Sequence, residues 1–388
     1  MTEVNIRITH TESVAAGHGQ VEQQPSGTPP VNRNRRVLSR EPVAVALSGG
    51  LDSMVTALIL KQRGHQVIGL HMILRPDQPE ESGEHVYRLG ARLGIDLHVV
   101  DLRPHFYEQV IKPFLKSYRL GNTPNPCVLC NPKIKFTLLR EQAGKAGASM
   151  FATGHYVRLV ADAPSEPLRL LRGRDRSKDQ SYFLHGLGQG QLAKTVFPLG
   201  NLKKSEVRQL AQAAGLGDYY RSESQEICFV PDNDYRTFLE HHLGPDLPGP
   251  GPVVDLTGVQ VGEHQGIHRY TIGQRRGLGI PSSEPYYVVG LEPETNTIRV
   301  GRRSDLGRKE MLVTQVNWIA PSPPTTELKA LVQVRSRHRE ALAVLEPTSQ
   351  EVTVRFLEPQ MAITPGQAAV FYRHDEVLGG GMIERVIS

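Results

Sequence analysis

Cysteine is scarce in this sequence, which has three cysteines among 388 residues. Secreted folds that depend on disulfides carry more cysteines, usually in even number, so that class is disfavoured. Long apolar runs are also lacking: the longest, such as residues 54–60, fall far short of the roughly 18 residues that span a bilayer. No basic segment followed by an apolar one opens the sequence. We therefore expect neither a signal peptide nor a membrane anchor, and we predict a cytoplasmic protein.

The length and composition predict a globular protein of two or three domains. Hydrophobic residues make up 39% of the chain and charged residues 22%, as in globular proteins. The formal net charge of +5 fits a polyanionic partner and fits a solvated basic surface equally well. Basic residues recur in three separate loop-like stretches: Arg172, Arg174, Arg176 and Lys178; Arg269, Arg275 and Arg276; and Arg335, Arg337 and Arg339. Such spacing is expected if several domains contact one nucleic-acid backbone.

The first half of the chain has the pattern of an α/β domain. Residues 1–40 show no sustained hydrophobic period and are predicted to form a flexible extension. Strands are predicted at 43–47, 66–74, 96–101 and 150–153, and helices at 53–63, 84–93, 105–118 and 134–145. Strands that alternate with helices predict a parallel, doubly wound sheet, here over residues 41–200.

The second half of the chain is predicted to be rich in antiparallel strands. A helix is expected at 203–214, and the Gly/Pro run at 244–252 indicates a boundary or a loop. A hairpin is predicted from 286–291 and 297–300, and six further strands at 311–319, 330–334, 341–345, 351–356, 368–372 and 382–387. The sequence therefore predicts a small central domain over 201–305 and an antiparallel β-barrel over 306–388.

A hexapeptide after the first predicted strand, Ser48-Gly49-Gly50-Leu51-Asp52-Ser53, predicts a phosphate-binding loop. Two consecutive glycines allow a tight turn with inward N–H groups, and the following helix N-terminus adds donors and partial positive charge. Asp52 is a candidate partner for Mg²⁺. An ordinary turn with Ser53 capping the helix is the alternative. The loop matches neither the P-loop nor the dinucleotide-binding pattern.

The three cysteines stand in two loop-like contexts, Cys127-x-x-Cys130 after a proline and Cys228 in Ser224-Gln225-Glu226-Ile227-Cys228-Phe229. A zinc site would need a second pair of ligands at suitable spacing, and none is evident. Inert buried thiols are a second interpretation. Reactive thiols are the third; they need a lowered pKa, for which Lys133, Lys135 and the helix beginning there would serve Cys130.

The chain resembles the bacterial tRNA-specific 2-thiouridylase (MnmA) family. The hexapeptide resembles the SGGxDS pyrophosphate loop of the ATP pyrophosphatases, which cleave ATP between the α- and β-phosphates and adenylate a carbonyl oxygen. Similar stretches lie at 48–53, 123–136, 152–156, 178–182, 225–229, 270–274 and 364–367, in register from about residue 42 to the end. The resemblance implies a PP-loop catalytic domain at 41–200, with segment 222–232 returning to its active site, and a tRNA-contacting central domain.

The resemblance also implies a reaction and its residues. The wobble uridine of tRNA is adenylated, and sulfur from a cysteine persulfide then gives 2-thiouridine, with AMP and pyrophosphate released. Cys228 matches the persulfide carrier and Cys130 the nucleophile or resolving thiol that ends paired with it. The implied ATP site is Ala46, Leu47, Ser48, Gly49, Gly50, Leu51, Asp52, Ser53, Met72 and Gly154. The implied tRNA contacts are Asn125, Pro126, Cys127, His155, Lys178, Asp179, Gln180, Arg335, Ser336 and Gln367.

The cofactors and partners that follow from the resemblance are ATP, Mg²⁺, a donor of persulfide sulfur, and the anticodon stem-loop of tRNA. The donor would be a cysteine desulfurase or a sulfur-relay protein. One position departs from the family, since some members have Asp where this chain has Cys127. Cys127 is then a proton-transfer group, a spare sulfur acceptor or a shaper of its loop. Lys178-Asp179-Gln180 has an alternative interpretation as a turn between strands.

Two other functions explain part of the pattern. Another adenylating enzyme of the same loop class would explain residues 48–53, but not two separated loop cysteines or the Arg-rich, strand-rich end. A non-catalytic RNA-binding protein that senses nucleotide would explain the arginines and leave Cys228 without a role. Pyrophosphate release that depends on tRNA distinguishes all three.

Overall fold

The computed structural model describes residues 6–9, 41–75, 83–163, 166–217, 219 and 227–388. The α-helices are α1 (Leu51–Gln62), α2 (Glu84–Leu93), α3 (Arg103–Phe106), α4 (Lys112–Arg119), α5 (Cys127–Cys130), α6 (Arg140–Lys145), α7 (Gln189–Ala193), α8 (Lys204–Ala213) and α9 (Tyr235–Leu243). Two π-helical segments, Tyr107–Ile111 and Asn131–Leu139, join α3 to α4 and α5 to α6. Short 3-10 helices lie at Ser181–Leu184, Pro231–Asn233, Gly244–Asp246, Ile267–Arg269 and Arg303–Leu306.

The strands follow in chain order. In the first part of the chain they are β1 (Ile6–Thr9), β2 (Val43–Ala46), β3 (Val67–Ile73), β4 (Asp96–Asp101), β5 (Met150–Ala152), β6 (Val157–Val160), β7 (Arg169–Arg172) and β8 (Thr195–Val196). In the second part they are β9 (Gly251–Val254), β10 (Gln260–His264), β11 (Tyr287–Glu292), β12 (Thr297–Gly301), β13 (Gly307–Trp318), β14 (Leu328–Gln333), β15 (Ala341–Pro347), β16 (Glu351–Met361), β17 (Ala368–Arg373) and β18 (Glu376–Val386).

The chain folds into two compact units. The first is built from residues 1–102, 137–179 and 190–223, and the second from residues 103–136, 180–189 and 224–388. Among the described residues, no helix is long and apolar enough to cross a membrane.

The first unit contains the predicted parallel sheet, in the order β1-β4-β3-β2-β5-β8. Neighbours from β4 to β8 run parallel, and Val43, Ala44 and Val45 at the centre of the sheet have no exposed surface. Most of α1 is buried as well, and it carries Asp52 in its first turn and Lys61 in its last, which suits the helix dipole. A hairpin of β6 and β7 also belongs to this unit.

Part of the predicted flexible extension is a strand. β1 pairs antiparallel with β4, with Ile6 opposite Val100, and so covers the edge of the parallel sheet. These four residues therefore depart from the expectation of a flexible extension, because backbone pairing along β4 satisfies their hydrogen bonds. Residues 1–5 and 10–40 of the expected extension lie outside the described residues.

The second unit contains two β systems, a mixed four-stranded sheet in which β9 and β12 run parallel and the predicted antiparallel barrel. Strands β10-β9-β12-β11 form a four-stranded sheet that includes the expected hairpin, β11 with β12, around a core with Ile267, Val288 and Ile298. Strands β13-β16-β15-β14-β17-β18 form a closed barrel, because β13 pairs with both β16 and β18. All six predicted barrel strands are present, and their alternate residues form one hydrophobic core.

Candidate active site

The hexapeptide 48–53 forms a loop between the end of β2 and the start of α1. Gly49 has a φ of +81°, in the left-handed region, and a Cβ there would lie 2.0 Å from Nε2 of His85. Only glycine fits this position without displacing the histidine. The loop is closed by Ser53, whose hydroxyl accepts from the Ser48 amide at 3.2 Å and donates to the Gly50 carbonyl at 2.9 Å. The strand–loop–helix frame of a phosphate site is therefore present.

The carboxylate of Asp52 is held from two sides. Lys204 Nζ lies 2.7 Å from Oδ1 and 2.9 Å from Oδ2, and the Tyr156 hydroxyl donates to Oδ1 at 2.7 Å. Gly154 also approaches closely, since a Cβ there would be 2.9 Å from the carbonyl carbon of Asp52. The structure thus brings together Asp52 and Gly154, which the sequence predicted as ATP-site residues. It adds Lys204, which the sequence did not single out.

The donor set at Asp52 limits how a metal could bind. No group of three or more His, Cys, Asp or Glu side chains that could hold a metal ion is found in the part of the chain that is described. Mg²⁺ commonly binds through one or two carboxylates and completes its octahedral shell with phosphate oxygens and water. Asp52 fits a magnesium ion that arrives with a nucleotide, and does not fit an all-protein metal site.

Three further ATP-site predictions lie near the carboxyl ends of adjacent parallel strands. Ala46 is the last residue of β2 and stands opposite Leu70 of β3, and the Leu47 amide donates to the Leu70 carbonyl at 2.8 Å. Met72 lies two residues further along β3 and is half-buried. Ligands of open α/β sheets bind at this edge, so these positions suit a nucleotide.

His155 and Asp179 are tied to the scaffold of the first unit. His155 is buried, with Nδ1 2.8 Å from the Thr153 hydroxyl. The Asp179 carboxylate accepts from the Gly173 amide at 2.9 Å and pairs with Arg172, and both charged side chains are only 9% exposed. Asp179 therefore has a structural role, which agrees with the alternative interpretation of residues 178–180 as a turn between strands. Its predicted contact with tRNA stays a prediction.

The Pro-rich loop and the first two cysteines belong to the second unit. Pro126 precedes α5, whose first and last residues are Cys127 and Cys130. The Cys127 amide donates to Asn125 Oδ1 at 3.2 Å, and the Cys130 amide donates to the Pro126 carbonyl at 2.9 Å. Gln367, another predicted tRNA contact, donates to the Thr123 carbonyl at 2.6 Å. Asn125, Pro126 and Gln367 thus shape the loop that carries Cys127 and Cys130.

The thiol of Cys130 is not activated as the sequence suggested. It is buried, and desolvation raises its pKa to about 12; Lys135 lowers the pKa, but less than burial raises it. Burial also raises the pKa of Cys127. Cys130 lies in the first turn of a continuous helical segment that begins at Cys127 and runs through Asn131–Leu139 into α6. The expectation of a lowered pKa at Cys130 is wrong because desolvation outweighs the nearby lysine.

Cys228, in contrast, is exposed. The next residue, Phe229, is buried in an aromatic cluster, with ring centroids 5.5 Å from Phe106, 5.2 Å from Phe114 and 5.4 Å from Phe238. This cluster anchors the segment while leaving the thiol accessible. No disulfide joins any two of the three cysteines, and the thiols of Cys127 and Cys228 both act electrostatically to raise the pKa of Cys130.

Arg335 and Ser336 follow β14 in a turn that a glutamine shapes. Gln333 donates through Nε2 to the carbonyls of both residues at 3.0 Å, and both side chains are half-buried. Gln180, in the same unit, is the N-cap residue of the 3-10 helix Ser181–Leu184.

The predicted residues divide between the two units. The first holds residues 46–53, Met72, Gly154, His155, Lys178 and Asp179; the second holds residues 125–130, Gln180, Cys228, Arg335, Ser336 and Gln367. The sequence analysis did not identify Lys204, because its partner Asp52 lies 152 residues away. The spacing of residues along the chain does not indicate a contact at that separation. The one nearby sequence feature is that Lys204 stands at the start of an amphipathic helix.

Comparison with known families gives three matches in chain order. Residues 41–232 match the tRNA methyl transferase HUP domain, residues 236–302 the tRNA methyl transferase PRC-barrel domain, and residues 308–383 the aminomethyltransferase beta-barrel domain.

Individual proteins match over most of the chain. The tRNA-specific 2-thiouridylase MnmA of Geotalea uraniireducens is 45% identical to this chain over 364 residues. The alignment covers 90% of this chain and 96% of the Geotalea protein. The tRNA-specific 2-thiouridylase MnmA 1 of Caldanaerobacter subterraneus is 43% identical over 358 residues, which cover 89% of this chain and 98% of that protein. A solved 4-thiouridine synthetase–RNA complex with bound ATP aligns at 20% identity with a TM-score of 0.34, over 53% of this chain and 51% of that chain.

Proposed function

The chain belongs to the tRNA-specific 2-thiouridylase (MnmA) family, and we propose that it adenylates the wobble uridine and then replaces the 2-oxygen with sulfur carried on Cys228. Its activity as an ATP-dependent tRNA sulfurtransferase is that of the family. The observation that supports the detailed proposal is the contrast between an exposed Cys228 and a buried Cys130 in a unit that also holds the Pro-rich loop.

Adenylation is assigned to the first unit. A uracil carbonyl oxygen is a poor leaving group, so it must be activated before sulfur can replace it. The backbone N–H groups near Gly49 and the start of α1 would bind phosphate oxygens. Asp52 would hold the Mg²⁺ that accompanies ATP, whose chemistry is to neutralise charge on the phosphates. Residues 46–48, Met72 and Gly154 would complete the ATP site.

Sulfur transfer is assigned to the second unit. The terminal sulfur of a Cys228 persulfide attacks C2 of the adenylated base, and AMP leaves with the former 2-oxygen. Cys130, after losing its proton, attacks the inner sulfur of Cys228. The sulfur–sulfur bond of the persulfide breaks, its electron pair stays with the sulfur on C2, and a Cys130–Cys228 disulfide forms. A thiol reductant then restores both cysteines.

The target base must leave the stack of the anticodon loop to reach these groups. We infer that Asn125, Pro126 and Cys127 surround the flipped base, because their loop is stiffened by proline and by internal hydrogen bonds. Further contacts to the anticodon stem-loop are assigned to His155, Lys178, Asp179, Gln180, Arg335, Ser336 and Gln367.

The supply of sulfur requires a partner. An exposed Cys228 suits transfer of persulfide sulfur from a cysteine desulfurase or a sulfur-relay protein. A cytoplasmic location remains a prediction from the sequence.

The test is mass spectrometry of nucleosides from tRNA incubated with the protein, ATP and a desulfurase with its sulfur source. We expect 2-thiouridine that depends on ATP, together with tRNA-dependent release of pyrophosphate. Asp52→Ala should abolish both products while tRNA affinity stays nearly unchanged, because Asp52 serves the nucleotide and not the RNA. Undiminished pyrophosphate release by Asp52→Ala would contradict the assignment of the loop.

A further inference from the structure

Cys127 has no chemical step in the proposed reaction, yet it lies on the same helical turn as Cys130. The two cysteines are the first and last residues of α5. Side chains three residues apart in a helix lie on the same side, with Cβ atoms about 5–6 Å apart. Two cysteines separated by two residues also have the spacing of dithiol redox motifs. The helix therefore places a second thiol beside the one that resolves the persulfide.

The backbone of this turn allows the two thiols to join. The Leu129 amide donates to the Pro126 carbonyl at 3.1 Å. This hydrogen bond spans three residues, as in a 3-10 helix, where side chains at positions i and i+3 eclipse each other. A disulfide needs Cβ atoms about 3.5–4.5 Å apart, so a closing movement of about 1–2 Å brings Cys127 and Cys130 within bonding distance.

The surroundings of these two thiols favour a disulfide over free thiolates. Cys130 is buried and Cys127 is half-buried, and burial raises the pKa of both thiols. Burial penalises a charged thiolate, whereas a disulfide carries no charge. Cys228 is exposed, and its thiol is close enough to Cys130 to raise the pKa of Cys130 further. Of the three sulfur atoms, that of Cys228 is therefore the best leaving group in a disulfide exchange.

We propose that Cys127 is a second resolving thiol, which converts the Cys130–Cys228 disulfide of each reaction cycle into a Cys127–Cys130 disulfide. The proposal rests on the sulfur transfer proposed above. The Cys127 sulfur attacks the Cys130 sulfur, the bond from Cys130 to Cys228 breaks, and its electron pair leaves with Cys228. Cys127 loses one proton and the Cys228 thiolate gains one, so the step is an exchange without net oxidation. A dithiol reductant then reduces the Cys127–Cys130 disulfide and is itself oxidised to a disulfide.

The exchange releases Cys228 before any reductant acts, so that this thiol can accept the next persulfide. The opposing explanation is that Cys127 only shapes its loop, and that the reductant acts directly on the Cys130–Cys228 disulfide. The two explanations predict different disulfides after a single turnover in the absence of reductant.

The experiment loads the protein with persulfide from a desulfurase, removes the donor, and allows one turnover with tRNA and ATP without reductant. The reaction is quenched with acid, free thiols are alkylated, and tryptic peptides are analysed by mass spectrometry. Arg119 and Lys133 are the nearest tryptic sites on either side of Cys127 and Cys130. A disulfide between these two cysteines therefore stays within one peptide, whereas a disulfide to Cys228 links two peptides.

The wild-type protein should contain about tenfold more of the Cys127–Cys130 disulfide than of both disulfides to Cys228 together, because the helix holds its two thiols side by side. Cys127→Ser should stop at the Cys130–Cys228 disulfide. Leu129→Ser is the matched control, since it alters the same turn and keeps all three thiols, and it should give the wild-type disulfide. A second load of persulfide, again without reductant, should enter Cys228 of the wild-type protein and not of Cys127→Ser. A wild-type protein that ends mainly on Cys130–Cys228 would overturn the proposal and leave the proposed sulfur transfer standing.

A measurement without tRNA separates the exchange from the overall reaction. The protein is equilibrated with mixtures of reduced and oxidised dithiothreitol, and the same peptides are quantified. The Cys127–Cys130 disulfide should again predominate, and a predominant disulfide to Cys228 would overturn the proposal. If the loaded protein forms neither 2-thiouridine nor any disulfide with tRNA and ATP, the proposed sulfur transfer fails and this inference fails with it.

Discussion

Alkylation of Cys130 offers a direct test of how burial controls its reactivity. With a pKa of about 12, the thiolate fraction of Cys130 at pH 8 is about 10⁻⁴, whereas an ordinary thiol with a pKa near 8.5 is about one quarter ionised. We expect iodoacetamide to label Cys130 about three orders of magnitude more slowly than a model thiol at pH 8. Because the thiolate is the nucleophile, the labelling rate should rise about tenfold per pH unit up to about pH 10.

The assay is peptide mass spectrometry of the native protein after timed labelling between pH 7 and pH 10. Cys228, which is exposed, serves as the internal comparison. Lys135→Met should slow the labelling of Cys130 further, because Lys135 lowers the Cys130 pKa. Lys133→Met, at an exposed position two residues away, should leave it unchanged.

The pH dependence separates a raised pKa from simple steric protection. Steric protection lowers the rate at every pH but lets the profile level off near the ordinary thiol pKa. A Cys130 profile that levels off below pH 9 would refute the argument from desolvation. So would labelling of Cys130 as fast as that of Cys228 at pH 8.

Three further predictions follow from the site. Cys228→Ser should still release pyrophosphate with tRNA but form no 2-thiouridine, since a hydroxyl cannot carry a persulfide. Formation of 2-thiouridine by that variant would show that another residue carries the sulfur. Arg335→Ala should weaken tRNA binding and reduce the slope of log affinity against log salt by about one, and an unaltered slope would remove Arg335 from the interface. Gly154→Ala should weaken ATP binding and lower the melting temperature, because its Cβ would lie 2.9 Å from the backbone of Asp52; Gly190→Ala, with open space around its Cβ, should do neither.

The sequence predicted well those features that depend on local pattern. The phosphate loop follows from two glycines between a buried strand and a helix, and the barrel follows from six short alternating segments. The loop depends on the conformational freedom of its glycines, and the barrel strands depend on the burial of alternate residues. Both features can therefore be predicted from residues that are close together in the sequence.

The sequence failed where long-range packing decides the chemistry. Lys135 suggested an activated Cys130, but the desolvation that raises the Cys130 pKa comes from the packing of the fold around it. The partners of Asp52, which are Lys204 and Tyr156, lie 152 and 104 residues away in the chain, so the residues that neighbour Asp52 did not indicate them. The strand Ile6–Thr9 gains its partner only because the parallel sheet ends at β4.

The path of the sulfur atom is the central claim, and isotope labelling tests it most directly. The protein is loaded with ³⁴S persulfide from a desulfurase, freed of donor, and mixed with tRNA under single-turnover conditions with and without ATP. Peptide mass spectrometry locates the label before the reaction, and nucleoside mass spectrometry locates it afterwards. We predict label on Cys228 at the start, and its transfer to 2-thiouridine only when ATP is present. Label that resides on Cys127, or tRNA that stays unlabelled while Cys228 loses its sulfur, would contradict the account.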